Sequence, residues 1–158
     1  MQIAIRKAIA SDAPAIHQLI SELATYEQAG HEVSIDANQL EIDGFGSHPL
    51  FEVLLAEHKN EILGMALWFY AYSTWKGKCV YLEDIVVKHS HRRKGIGKQL
   101  FDALISRAAE VGAKRLMWQV LDWNEPAINF YKKYKAEISS QWLNVRLVQE
   151  QIQQLSSK

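Results

Sequence analysis

Arg92-Arg93-Lys94-Gly95-Ile96-Gly97 combines cations and glycines in a spacing suited to holding an anion. An apolar segment, Val80 to Val87, leads into it, and an amphipathic one, Lys98 to Val111, follows. A strand, a basic glycine-bearing turn and a helix together make a pyrophosphate cradle. The first helical N–H groups lack intrahelical acceptors, the helix dipole adds partial positive charge, and glycine lets the backbone approach the anion closely. The spacing R-x-x-G-x-G matches neither G-x-x-x-x-G-K-[ST] nor G-x-G-x-x-G, the two familiar nucleotide loops. Inside the apolar segment, Glu83 and Asp84 stand together beside that turn. Read alone, Glu83 is equally an outward-facing strand carboxylate or a salt-bridge partner of Arg92 or Lys78.

The elements that must position these residues follow from pattern. Gln2 to Arg6 reads as a strand with Ile3 and Ile5 on one face. Ser11 or Asp12 can cap a helix from Ala13 to about Tyr26, whose stripe is Ile16, Leu19, Ile20 and Leu23. A second helix is expected over 35–42, ended by Gly44-Phe45-Gly46. Phe51 to Glu57 and Ile62 to Tyr72 read as strands around a polar turn, His58-Lys59-Asn60-Glu61. The Val80–Val87 strand and the Lys98–Val111 helix come next, the latter closed by Gly112. A strand over 116–121, a helix from Pro126 to Tyr134 and closing strands at Ile138 and 143–148 complete the order, with a frayed polar helix over 149–158. That order is a mixed α/β sheet flanked by helices.

The chain has 158 residues, 48% of them hydrophobic, which suits one domain with a sizeable core. Its 18 basic and 18 acidic side chains cancel, which argues against bulk attraction to nucleic acid or anionic membrane. Any anion site must be local. The single Cys79 cannot form an intrachain disulfide and reads as a packed small hydrophobe in a reducing compartment. With no signal region and no apolar run long enough to span a bilayer, the expectation is a soluble, cytoplasmic protein. No metal site is expected: His89 and His91 lack a Cys or carboxylate partner at ligand spacing. No G-x-S-x-G context appears, and Cys79 has no recognisable catalytic partner.

Several separated motifs, taken in order, resemble the GCN5-related N-acetyltransferases (the GNAT family). R-x-x-G-x-G after the fourth strand resembles that family's acetyl-CoA loop. Asn124-Glu125-Pro126-Ala127-Ile128-Asn129-Phe130-Tyr131 is similar to its N-x-x-A-x-x-F-Y segment. Glu22 to Glu27, Asp43 to Gly46 and Tyr81 to Asp84 resemble the diamine (spermidine/spermine-type) acetyltransferases. Ser73 to Gly77 and Val120 to Asn124 are similar to the thialysine-acetylating branch. The resemblance runs from end to end. It implies a single GNAT domain over 1–158, with a mostly antiparallel central sheet, acting on a small-molecule amine and associating as a homodimer.

It also implies roles. An alkyl ammonium titrates near 10, so roughly three pKa units must be supplied at neutral pH by a base and a desolvating site. Glu83 is the candidate base, and Asp84 can share or take the task. Tyr131 is the implied general acid, returning a proton to the leaving thiolate. Ile85, Val86 and Val87 would run along the pantetheine, with the Ile85 N–H polarising the thioester carbonyl. Arg93, Lys94, Gly95, Ile96, Gly97 and Lys98 would wrap the pyrophosphate. Asn124, Pro126 and Ala127 lie where the family touches pantetheine, although Asn124 is also placed to cap the helix at Pro126.

Tyr26, Glu27, Trp75, Glu83 and Asp84 are the implied amine-binding residues. Two departures bear on the amine. Ser73 replaces an Asp of the polyamine-acetylating members, and the acidic loop before the last strand shrinks to Ser139-Ser140-Gln141-Trp142. Both favour a shorter or zwitterionic amine over spermine. A third departure, Lys135 in place of the usual Gly, predicts backbone strain if φ is positive there. The competing readings are acetylation of a protein lysine or N-terminus, and a non-catalytic acetyl-CoA-binding module. The second would want loss of the acid, the base or the glycine loop, and all three are present.

Overall fold

The stripe Ile16, Leu19, Ile20 and Leu23 recurs every three to four residues and so becomes one face of a helix. In the computed structural model, which describes residues 2–156, a short strand β1 (Ala4–Lys7) precedes that helix, α1 (Ala13–Tyr26). Asp12 sits at the helix start but does not cap it. Its carboxylate accepts from Arg6 (2.7 Å) and from the Ile9 N–H (2.8 Å), which ties β1 to the turn before α1. Next comes α2 (Ala37–Phe45), capped by Asp36, whose side chain accepts from the Gln39 N–H at 2.8 Å. This helix begins later than expected and runs through Gly44 and Phe45 before Gly46 ends it.

Lys59 and Asn60 both adopt positive φ, 48° and 64°, a two-residue turn whose twist matches the strands it joins, β2 (Glu52–His58) and β3 (Glu61–Ser73). Residues 74–76 turn β3 into β4 (Gly77–Val87), and α3 (Ile96–Glu110) follows, starting two residues before Lys98. The last strand, β5 (Leu116–Met117), runs parallel to β4. The sheet order is β1-β2-β3-β4-β5, antiparallel except for that final pair. The mixed, mostly antiparallel sheet is therefore as expected.

Both faces are covered. Ala13, Ile16 and Leu19 of α1 and Leu40 of α2 pack with Val53, Leu55, Met65, Leu67 and Val86. Full burial of each large aliphatic is worth about 1.5–3 kcal/mol, so this layer anchors α1 firmly. The other face belongs to α3, which packs on β2, β3 and β4. Its Arg107 reaches Glu52 at 3.5 Å and the Tyr70 hydroxyl at 3.4 Å, residues that alternate away from the first face.

One slip in the β3–β4 ladder decides what β4 presents. Trp68 pairs with Leu82 and Leu67 with Asp84, which leaves Glu83 as an extra residue. Everything downstream is inverted. Leu82 shares a face with Trp68, whereas Asp84 and Val86 share the α1 face with Leu67 and Met65. The backbone inverts too. The Lys88 N–H donates to the Leu63 carbonyl at 2.8 Å, so alternation aims the backbone groups of Asp84 and Val86 at β3 and those of Ile85 and Val87 outward. Among the described residues, no strand pairs with that outward edge beyond Tyr81, opposite Met117.

Three expectations fail in the second half. The strand expected over 116–121 is only Leu116–Met117, because the ladder it would extend is interrupted by the slip at Glu83. Ile138 and 143–148 are not strands. Among the described residues they find no ladder partner, and Leu143 and Val145 are 87% and 92% exposed. Residues 1–119 and 120–158 form two compact units. In the second unit the regular elements are α4 (Glu125–Lys132) and α5 (Gln149–Ser156). The polar tail is thus helical over its described part, and its last two residues lie outside the described range. Among the described residues no helix is long and apolar enough to cross a membrane.

Candidate active site

Gly95 occupies the N-cap position of α3 with φ 80° and ψ 1°, a left-handed conformation natural to glycine. Helical bonding begins with the Gln99 N–H donating to the Gly95 carbonyl (3.1 Å), so the N–H groups of Ile96, Gly97 and Lys98 precede the first intrahelical bond. Arg93 also has positive φ, 64°, which bends the basic turn around this helix start. Gly97 is different. Its φ is ordinary, and a Cβ there would meet only a Val87 methyl at 3.7 Å. The fold does not require glycine at 97, and the space its missing side chain leaves lies at a bare helix N-terminus. Together with the outward backbone groups of Ile85 and Val87, this suits an anionic ligand that also carries amides.

Carboxylates gather on the other side of the same strand. Asp84 is half-buried on the α1 face, and Glu27 follows directly on the last residue of α1. Burial pushes the Asp84 carboxyl up to about 6, helped by the nearby charges of Glu83 and Glu27. Burial raises the Glu27 carboxyl as well. Glu83, the extra residue of the slip, is exposed. It forms no recorded ion pair with Arg92 or Lys78 among the described residues. Arg92 instead lies over the Tyr26 ring, 4.6 Å from its centroid, and its Nε donates to the Val87 carbonyl at 3.2 Å.

In the second unit, Asn124 caps α4, its side chain accepting from the Ala127 N–H at 3.3 Å. Pro126 sits in the first turn, where its missing N–H costs nothing. Tyr131 is the buried residue of this helix, its ring edge-on to Phe130 with 5.4 Å between centroids. Just past the helix Lys135 has φ 56°, the left-handed conformation for which strain was the expectation.

Residues 14–135 match the Acetyltransferase (GNAT) family, a stretch that includes the glycine turn, the carboxylate strand and the Tyr131 helix. The chain belongs to the GNAT family. It is 36% identical to the thialysine N-epsilon-acetyltransferase of Mus musculus, over 98% of this chain and 97% of that one. It is 34% identical to the spermidine/spermine N(1)-acetyltransferase-like protein 1 of Homo sapiens, over 94% of this chain and 23% of that one. Among solved structures, an integron cassette protein from the mobile metagenome of V. cholerae superposes with a TM-score of 0.81 at 23% identity. It covers 100% of this chain and 99% of that one, a likeness of fold. The diamine- and thialysine-type resemblance read from the motifs is thus matched by named relatives.

As a GNAT member, the chain places its expected site residues unevenly. Tyr26, Glu27, Glu83 and Asp84 meet around one end of α1 and the middle of β4. Ile85, Val87 and Arg93 to Lys98 line the adjoining edge and turn. Val86 stands apart: its side chain is in the core and its backbone faces β3. Trp75, 80% exposed, lies in the β3–β4 turn, about 20 Å or more along the strand from Asp84, so a single chain does not bring it to the carboxylates. The sequence reading missed Arg92 as a partner of Tyr26. Its motif position marked it as basic, but nothing in a linear pattern announces a stacking contact between residues far apart in the chain. Among the described residues no group of three His, Cys, Asp or Glu side chains is placed to hold a metal ion.

Proposed function

We propose that this chain transfers the acetyl group of acetyl-CoA to a primary amine of a thialysine-like amino acid or short diamine, by direct attack. The observation that carries the reading is the slip at Glu83, which puts an outward backbone edge and an uncapped, glycine-headed helix next to a desolvated carboxylate. Ile85 and Val87 would pair with pantetheine amides, while the N–H groups of 96–98 and the cations Arg93, Lys94 and Lys98 would hold the pyrophosphate. Asn124, Pro126 and Ala127 would border the pantetheine. Acetyl-CoA supplies the activated acyl group.

The acceptor ammonium must lose a proton before attack. Asp84, raised to about 6, is a stronger base than an ordinary carboxylate, and Glu83 lies beside it. The pair takes the proton, with Asp84 the better-supported member. Tyr131 then donates its phenolic proton to the departing sulfur. Tyr26 and Glu27 would border the rest of the acceptor, with the Glu27 carboxylate meeting its cation. Trp75 can contribute only from a second copy, which fits a homodimer. One catalytic domain over 1–158, in a reducing cytoplasmic compartment that suits the free Cys79, completes the reading.

The test is thiol release from acetyl-CoA with a panel of thialysine, lysine, short diamines and spermine. Thialysine and the short acceptors should show higher kcat/KM than spermine. Tyr131→Phe should lower kcat by about 10²–10⁴-fold while sparing acetyl-CoA affinity. Thiol release no faster with amines than without them would rule the reading out.

A further inference from the structure

The register of the sheet lines up a row of apolar side chains beside the carboxylates. The slip leaves β3 itself continuous, so Phe69 stands two residues from Leu67 and shares the α1 face with it. Tyr81 is opposite Phe69, and Met117 is opposite Tyr81, so the row Phe69–Tyr81–Met117 crosses β3, β4 and β5 on that face. We propose that this row is the floor of the acceptor site, an apolar strip that takes the acceptor's uncharged carbon chain and favours longer chains over shorter ones. The inference rests on the reading of this chain as a small-amine acetyltransferase and adds the surface that measures its acceptor.

The row is near the carboxylates, open and rigid. Along β3 the Phe69–Tyr81 pair lies about 6.6 Å from the Leu67–Asp84 pair, two residues at the usual strand rise. All three side chains are half-buried, whereas Met65, Leu67 and Val86 on the same face are buried in the core with α1. Phe69 and Tyr81 stack, with 5.1 Å between centroids and 24° between ring planes. A stacked pair has little freedom left to lose when a ligand covers it. Met117 is the last residue of β5, so the strip ends where the sheet edge opens. Its thioether adapts to chains of different shape.

Electrostatics join the strip to the carboxylates. The Tyr81 hydroxyl is raised by burial and then by the charge of Glu83, the same charge that is felt at Asp84. Strip and carboxylates therefore adjoin. An acceptor whose nitrogen meets Asp84 can lay the methylenes behind it, or methylenes and a thioether sulfur, across the two rings and Met117. A chain of one or two carbons ends short of the row and gains nothing from it.

The decisive series is n-propylamine, n-butylamine, n-pentylamine and n-hexylamine, which differ only in methylenes, with thialysine as the positive control. In wild type kcat/KM should rise by about two- to fourfold per methylene, near the transfer value of a buried CH₂. Phe69→Ala should reduce that gain towards unity and leave the acetyl-CoA KM unchanged. Tyr81→Phe keeps the ring and should keep the gain. A flat series in wild type would overturn the proposal, and this comparison needs no variant to fold. So would acetylation of thialysine with none of the alkylamines accepted. A gain intact in Phe69→Ala would overturn it too, and a raised acetyl-CoA KM alongside would assign the row to the cofactor. If wild type acetylates neither thialysine nor any other amine, the underlying reading falls, and this floor with it.

Discussion

At the scale of single residues, Asp84 carries a stability cost that its proposed chemistry explains. Its folded pKa of about 6 exceeds the ordinary value of 3.8, so the native state holds this proton more tightly than the unfolded chain does. The cost is absent below about pH 4, grows as pH rises through 6, and levels off at on the order of 3 kcal/mol. Asp84→Asn should therefore raise the melting temperature at pH 8 and leave it nearly unchanged at pH 4. The same change should remove the rise in kcat/KM with pH near 6. Glu83→Gln, at an exposed position, should move stability far less. A lower melting temperature for Asp84→Asn at pH 8 would mean that the carboxylate is held by a favourable partner rather than by desolvation. Lys135, with φ 56°, stores strain of the same local kind and has no proposed role in the chemistry.

At the scale of elements, the helix start at 95–97 separates folding from binding. Gly97→Ala replaces glycine at a helical φ with room for a methyl, so it should stabilise the fold by about 0.5–1 kcal/mol. It should nonetheless raise the acetyl-CoA KM, because the methyl fills the approach to the bare N–H groups. Gly95→Ala should instead destabilise, since φ is 80° there. Denaturant melts paired with acetyl-CoA titrations would distinguish the two positions. Unchanged KM in a stabilised Gly97→Ala would remove the turn from the cofactor site. Much of this level was legible in sequence. The bounds of α1 follow from its stripe, and the glycine turn lies where strand gives way to helix. The slip at Glu83 was not legible, because helices cover both sheet faces and leave β4 without the alternation that reveals register. The closing strands were misread for a related reason: β-rich composition at 143–148 shows a tendency to pair and does not say with what. Arg92 and Tyr26 met only once the chain had folded.

At the scale of the whole molecule, Trp142, Leu143 and Val145 make an unusually apolar exposed run for a free monomer. If the proposed homodimer buries them, light scattering should give twice the 18.1 kDa chain mass. Leu143→Glu with Val145→Glu should return it to monomer and lower activity if a second copy supplies Trp75. Wild type running as a monomer at micromolar concentration would refute the dimer. The slip at Glu83 has a further consequence for how this gene can drift. What β4 shows on either side depends on how many residues precede each position, so a substitution at 83 edits one side chain and leaves the rest of the strand as it was. Loss of that single codon would close the ladder and leave Asp84 opposite Leu67, still on the α1 face, whereas loss of Ile85 would carry Val86 to the opposite face. Lineages of this enzyme can therefore shorten the strand by one at the slip without turning it over, but not beyond it.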